Sequence, residues 1–138
     1  ALPFGASVNL NGRTFQPVPA NHVVPACGVH VAASGGSFVF TGDTGHSPGL
    51  IHALNGIRDL RHLVIETSFE DALKDVAIAS KHHWPASLAA ELGHLAVRPQ
   101  VWITHLKPGN EDAIMQELQR SAPAWQLQPA WQGQQIEI

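Results

Sequence analysis

Ser37-Phe-Val-Phe-Thr-Gly-Asp-Thr-Gly45 couples a short apolar strand to a glycine-flanked aspartate, and the order of elements around it decides the fold. Phe38, Val39 and Phe40 suit a strand, and Gly42 marks a sharp turn directly after it. Upstream, Thr14 to Pro19 and Gly28 to Ala33 read as short strands, because β-branched and small residues alternate with polar ones. Downstream, strands alternate with helices. Pro48 to Leu54 predicts a short helix with proline in its first turn. Leu63-Val-Ile65 is an apolar run of strand length that delivers Glu66 at its end. Phe69 to Ser80 predicts a helix with Phe69, Leu73, Val76, Ala77 and Ser80 on one stripe. Pro85 opens the next helix, with Leu88, Leu92 and Leu95 inward, and Val101-Trp-Ile-Thr104 is a strand that delivers His105. Glu111 to Arg120 predicts a helix with Ile114, Met115 and Leu118 inward, and Trp125-Gln-Leu127 with Gln135-Ile-Glu-Ile138 predicts a terminal strand pair. Antiparallel strands followed by strand-helix alternation point to an α/β sandwich.

The 138 residues are 44% hydrophobic and 14% charged, which suits one domain with a working core and excludes a disordered chain. Eight basic residues against eleven acidic ones, scattered along the chain, disfavour a nucleic-acid partner. Cys27 is the single cysteine, so an internal disulfide and a multi-cysteine zinc site are excluded; its apolar strand context predicts a buried, inert thiol. No apolar run approaches the roughly 20 residues that span a bilayer, so no membrane partner is expected. The opening ALPFGASVNLNGR lacks the layout of a signal peptide. The compartment stays open between cytoplasm, which is favoured, and periplasm. Nine histidines stand against no tyrosine, and their positions have to decide what they do.

Residues capable of chemistry recur just after apolar strands, where α/β folds gather their sites. They are His22 in Ala-Asn-His-Val-Val-Pro, Asp43 in Thr-Gly-Asp-Thr-Gly, Glu66 in Val-Ile-Glu-Thr-Ser-Phe and His105 in Ile-Thr-His-Leu-Lys-Pro. His82 and His83 stand just before the Pro85 helix. Two imidazoles and a carboxylate from separate strands form a donor set for zinc or a similar ion. Each also has a plain reading: a hydrogen-bonded turn histidine, an aspartate bonding its own turn, a glutamate or histidine at a helix start. Lys107 reads either as a phosphate holder or as a solvated lysine, and Trp84 either as a base-stacking or a packing residue. Of the other histidines, His30 in a strand, and His52, His62 and His94 on or beside helices, are surface or packing residues. His46, three residues past Asp43, is the one placed to reach a substrate.

Gly-Asp-Thr after an apolar strand, a strand ending in Glu-Thr-Ser-Phe, His-x-x-Pro opening a helix and a strand ending in Thr-His occur here in order. Together they resemble the C-terminal half of the metallo-β-lactamase superfamily. The chain is most similar to the class II 3′,5′-cyclic-nucleotide phosphodiesterases, relatives of the tRNA 3′-processing endonucleases (tRNase Z), over Phe15 to Gly109. The resemblance implies an α/β fold that is the C-terminal half of an αββα sandwich, with residues 1–138 as one partial domain. It implies that His22 binds a first metal, Asp43 bridges two, and His105 binds the second. Glu66 would orient His82 toward the leaving oxygen; His82 fits this relay before His83, because Pro85 follows it at the third position. Two divalent ions, zinc foremost, and a small cyclic nucleotide are the implied cofactor and substrate.

The family's His-x-His-x-Asp-His string is absent from these residues. The chain therefore supplies only part of the expected ligand set, is expected to be inactive alone, and is expected to pair with itself or with a missing first half. The alternatives are another hydrolase of the superfamily, such as a tRNA 3′-processing endonuclease, or a non-catalytic half-domain acting in assembly. The implied chemistry is coherent. Two ions about 3.5–4 Å apart activate water and neutralise phosphoryl charge, a carboxylate suits the bridging place, and a histidine acid assists a poor alkoxide leaving group.

Overall fold

Asn11 and Gly12 take positive φ angles of 51° and 77°, the geometry of the two-residue turn that matches strand twist in a hairpin. They join β1 (Val8–Leu10) to β2 (Arg13–Pro19), with Leu10 opposite Arg13. The chain is seen here in a computed structural model that describes residues 2–138. β3 (Cys27–Ala33) and β4 (Gly36–Phe40) continue the antiparallel meander. Beyond β4 the pairing is parallel, through β5 (Leu60–Glu66), β6 (Gln100–Thr104) and β7 (Leu127–Pro129), and the spatial order of the seven strands equals their chain order.

Strand direction positions the site. Two antiparallel steps separate β2 from β4, so β2 runs the same way as β4, β5 and β6. The C-terminal ends of these four strands open on one edge of the sheet. His22 follows β2, Asp43 follows β4, Glu66 ends β5 and His105 follows β6.

Parallel strands need crossovers, which α1 (Pro48–Gly56), α2 (Lys74–Ser80), α3 (Pro85–Gly93) and α4 (Glu111–Ser121) provide. Ser47 starts α1 by accepting the Leu50 N–H at 3.3 Å, and Pro48 takes the first turn, where its missing N–H costs nothing. Leu50, Leu54, Leu88, Leu92, Ile114 and Leu118 of α1, α3 and α4 pack with Val39, Leu63, Ile65, Val101 and Ile103 of the sheet into one buried core. Side chains alternate along a strand, so Phe38 and Phe40 point to the other face. Register places Phe15, Val29, Val31 and Trp102 with them. Leu50 and Leu54 of α1, Leu88 and Leu92 of α3, and Ile114, Met115 and Leu118 of α4 all join the first core, so these helices pack on that face.

Several expectations change. The Phe69–Ser80 helix shortens to a 3-10 turn at Asp71–Leu73 followed by α2, because Glu70 is extended and Phe69 turns its ring toward His82 instead of joining a stripe. Leu73 and Val76 are exposed. β1 carries no burial pattern to betray it: all three residues are exposed. In the tail, Leu127–Pro129 pairs with β6, whereas residues 135–138 form no strand; Ile136 and Ile138 instead line a cavity with Arg13, Val31 and Phe38. Cys27 is exposed, since it is the first residue of β3 and lies beyond the core. His62 lies within β5, where it accepts the Trp102 indole N–H at 3.3 Å. Among the described residues, no helix is long and apolar enough to cross a membrane.

Candidate metal centre

Glu66 is fully buried at the end of β5, and its carboxylate is surrounded by donors. Oε1 accepts the Thr44 backbone N–H at 3.0 Å and lies 2.5 Å from Nδ1 of His82. Oε2 accepts the Ser68 hydroxyl at 3.0 Å and the His83 backbone N–H at 3.3 Å. Burial pushes the Glu66 carboxyl up to about 7, against the pull of the Thr44, Ser68 and His83 donors and of the His105 charge. Burial also lowers the His82 imidazole; neighbouring His22 and Lys107 add to that, and Asp43 opposes it. Both directions favour the uncharged forms, and the 2.5 Å contact holds one proton between Glu66 Oε1 and His82 Nδ1.

The His82 ring centre is 4.8 Å from that of His22 and 5.0 Å from that of His105. His105 Nδ1 lies 2.7 Å from Asp43 Oδ1. One potential ligand atom from each of His22, Asp43 and His82 falls within 4.8 Å of the others. The backbone is bent to make this happen. Gly42 turns at φ 63°, and Lys81 and His105 hold left-handed φ of 55° and 60° without being glycine. Such conformations cost of order 1 kcal/mol or more and persist where the surroundings enforce them. Gly45 allows the Asp43 loop to pass Lys81: an added Cβ would sit 3.1 Å from the Lys81 carbonyl carbon. Imidazole nitrogens and a carboxylate converging at this range form the donor set that a borderline divalent ion such as zinc takes. The residues present fit such an ion.

No family model matches the chain, and no curated protein matches it. Solved structures do. YhfI of Bacillus subtilis, a metallo-β-lactamase fold protein, superposes with a TM-score of 0.78 at 14% identity, over 94% of this chain and 52% of its own. The chain has the metallo-β-lactamase fold. The short form of human tRNase Z aligns with a TM-score of 0.61 at 19% identity, over 75% of this chain and 39% of its own. A diphosphatase of the PhnP family aligns with a TM-score of 0.62 at 20% identity, over 91% and 43%. The chain thus spans about half the length, or less, of these metallo-β-lactamase fold structures.

On this fold, the five residues His22, Asp43, Glu66, His82 and His105 meet at one sheet edge. The arrangement sets His82 between two roles, since it both pairs with Glu66 and belongs to the potential donor triad. His46 turns away: its exposed ring pairs with the buried Glu91 of α3, which also accepts the Ser47 N–H at 3.3 Å. The His83 ring is buried beside Ser87, 2.9 Å from its hydroxyl. Trp84 is half-buried at the start of α3, where its N–H donates to Ser87 Oγ.

Two residues that the motifs did not single out shape the centre. Asn21 ties the His22 loop to the Asp43 loop. It donates its N–H to Thr44 Oγ1 at 3.0 Å and its amide to the His46 carbonyl at 2.8 Å, and it accepts the Gly45 N–H at 3.0 Å. Ser68 bonds Glu66 and lies 3.3 Å from His82 Nδ1. Both adjoin residues that were read, but spacing along a chain does not name a partner across a loop.

Proposed function

We propose that this chain forms the metal-binding and proton-relay part of a metal-dependent phosphodiester hydrolase, one that opens 3′,5′-cyclic nucleotides to 5′-monophosphates within a complete domain. The observation that carries the reading is the buried Glu66 carboxylate 2.5 Å from His82, whose ring stands between those of His22 and His105. A tRNase and a diphosphatase among the fold neighbours support phosphate-ester chemistry.

His22, Asp43 and His105 would hold two divalent ions, zinc by donor type, with Asp43 shared between them. Bound there, the ions supply Lewis-acid stabilisation of phosphoryl charge and lower the pKa of water. Glu66 holds Nδ1 of His82 and stabilises the imidazolium, the form in which Nε2 carries the proton that it passes to the leaving 3′ oxygen. Such acid assistance is worth about 10²–10⁴-fold. The remaining ligands would come from a first half carrying His-x-His-x-Asp-His, of which residues 1–138 are the complement.

The test is cyclic AMP hydrolysis with zinc. Joined to a first half bearing that string, the chain is expected to turn over cyclic AMP, and the 138 residues alone are expected to give none. In the joined enzyme, His82→Ala should lower turnover about 10²–10⁴-fold with metal content unchanged. Loss of metal in His82→Ala would make His82 a ligand and overturn the relay. Cleavage of a tRNA precursor without cyclic AMP turnover would overturn the substrate assignment.

A further inference from the structure

Beside the metal centre stands a cation with no anionic partner. Lys107 is half-buried, and among the described residues no carboxylate forms a salt bridge with it. Its ammonium lies over the Phe69 ring, 5.0 Å from the centroid, and the other neighbour of that ring is His82, edge-on at 5.9 Å. A cation held against an aromatic face keeps its position without losing its charge to a carboxylate.

The backbone under Lys107 is fixed on both sides. His105, two residues before, is locked in the left-handed region at φ 60°. Directly after, Lys107-Pro-Gly-Asn110 closes a turn in which the Asn110 N–H donates to the Lys107 carbonyl at 3.1 Å. Proline at the second position and Gly109 at φ 90° in the third meet the demands of a type II turn. The side chain therefore grows from a rigid root beside His105 and reaches back across Phe69 toward His82.

We infer that Lys107, presented by Phe69, is an anion seat that takes a non-bridging oxygen of a small phosphate ester next to the metal centre. An ammonium is a point-charge donor well suited to phosphate oxygen, and here its charge is left uncommitted within the site. The seat deepens the hydrolase reading and rests on it for the reacting phosphate, but it can be tested without metal. Phe69 is then a positioning residue: it touches Lys107 and His82, and its part is to hold the ammonium at the mouth of the site.

The experiment is a titration of the 138-residue chain with inorganic phosphate at low salt, without added metal, followed by NMR shifts of the histidine ring protons. Native protein is expected to saturate. Lys107→Met should weaken binding about tenfold, Lys107→Arg should stay within about twofold, and Phe69→Leu should lie between them. Lys74→Met, on α2, should bind as native protein does. Absence of phosphate binding by the native chain, or equal affinity in Lys107→Met, would overturn the seat. Zinc uptake measured on the same variants separates the two ideas. Normal zinc uptake with no phosphate binding defeats the seat alone, and absent zinc uptake with normal phosphate binding defeats the metal reading alone.

Discussion

His82 and His83 are neighbours with opposite surroundings. His82 faces the converging donors, whereas the His83 ring is sealed beside Ser87 and burial pushes it down to about 4. Unfolded, His83 takes a proton near pH 6.5; folded, it stays neutral down to about 4. The unfolded state therefore binds more protons in that window, and this residue's contribution falls as pH drops, by up to about 3 kcal/mol in total. Glu66 acts in the other direction, because its folded carboxyl titrates near 7 and gains a proton earlier than the unfolded one. The comparison with His83→Leu cancels Glu66. Urea unfolding at pH 7, 5.5 and 4 should show native protein losing stability relative to the variant as pH falls. A gap that does not change with pH would contradict the burial of a neutral imidazole. At this scale the sequence identified the residues that follow strands, because the motif order marks them. It did not reveal that the His83 main chain serves Glu66 while its buried ring pairs with Ser87, since one residue type at one position carries both parts.

Strands marked by alternating residue type or by an apolar run, such as β2 to β4, were legible, and so were helices opened by proline at Pro48 and Pro85. Two kinds of element were not. β1 is three exposed residues held by pairing alone, and the residues ahead of α2 follow the demands of Phe69 and Glu70 rather than helical period. Gly28 shows what the elements require of each other near the site. A Cβ there would sit 2.6 Å from the Phe40 carbonyl oxygen, 2.8 Å from Thr41 Cα and 2.8 Å from Val18 Cγ2. Two of these three are backbone atoms of the segment leading to Gly42 and Asp43, so neither can swing aside. Gly28→Ala should cost about 1–3 kcal/mol and lower the Tm by roughly 3–10 °C in a thermal scan. An unchanged Tm would mean that β3 and β4 separate more easily than their packing indicates.

For the whole molecule, the sequence order of antiparallel strands followed by strand-helix alternation was enough to place the chain in an α/β class. The convergence at one edge was not legible until strand directions were known, because only the parity of the meander makes β2 point with β4. The second sheet face is the other consequence of scale. Phe15, Val29, Val31, Phe38, Phe40 and Trp102 share it, and Phe40 is 41% exposed. The chain's own Ile136 and Ile138 reach Val31 and Phe38, and Trp131 meets Trp102, which leaves Phe40 as the exposed apolar contact of this face. The 138 residues alone should therefore self-associate in sedimentation experiments, and Phe40→Glu should shift them toward monomer. A monomer at every concentration would contradict a role for this face in assembly.

The convergence of donors at the sheet edge is the central claim, and zinc-edge anomalous diffraction from crystals grown with zinc tests it most directly. The account predicts a peak bounded by His22, Asp43 and His105, with His82 at its side. Zinc found elsewhere on the chain, with no density at that edge, would contradict it.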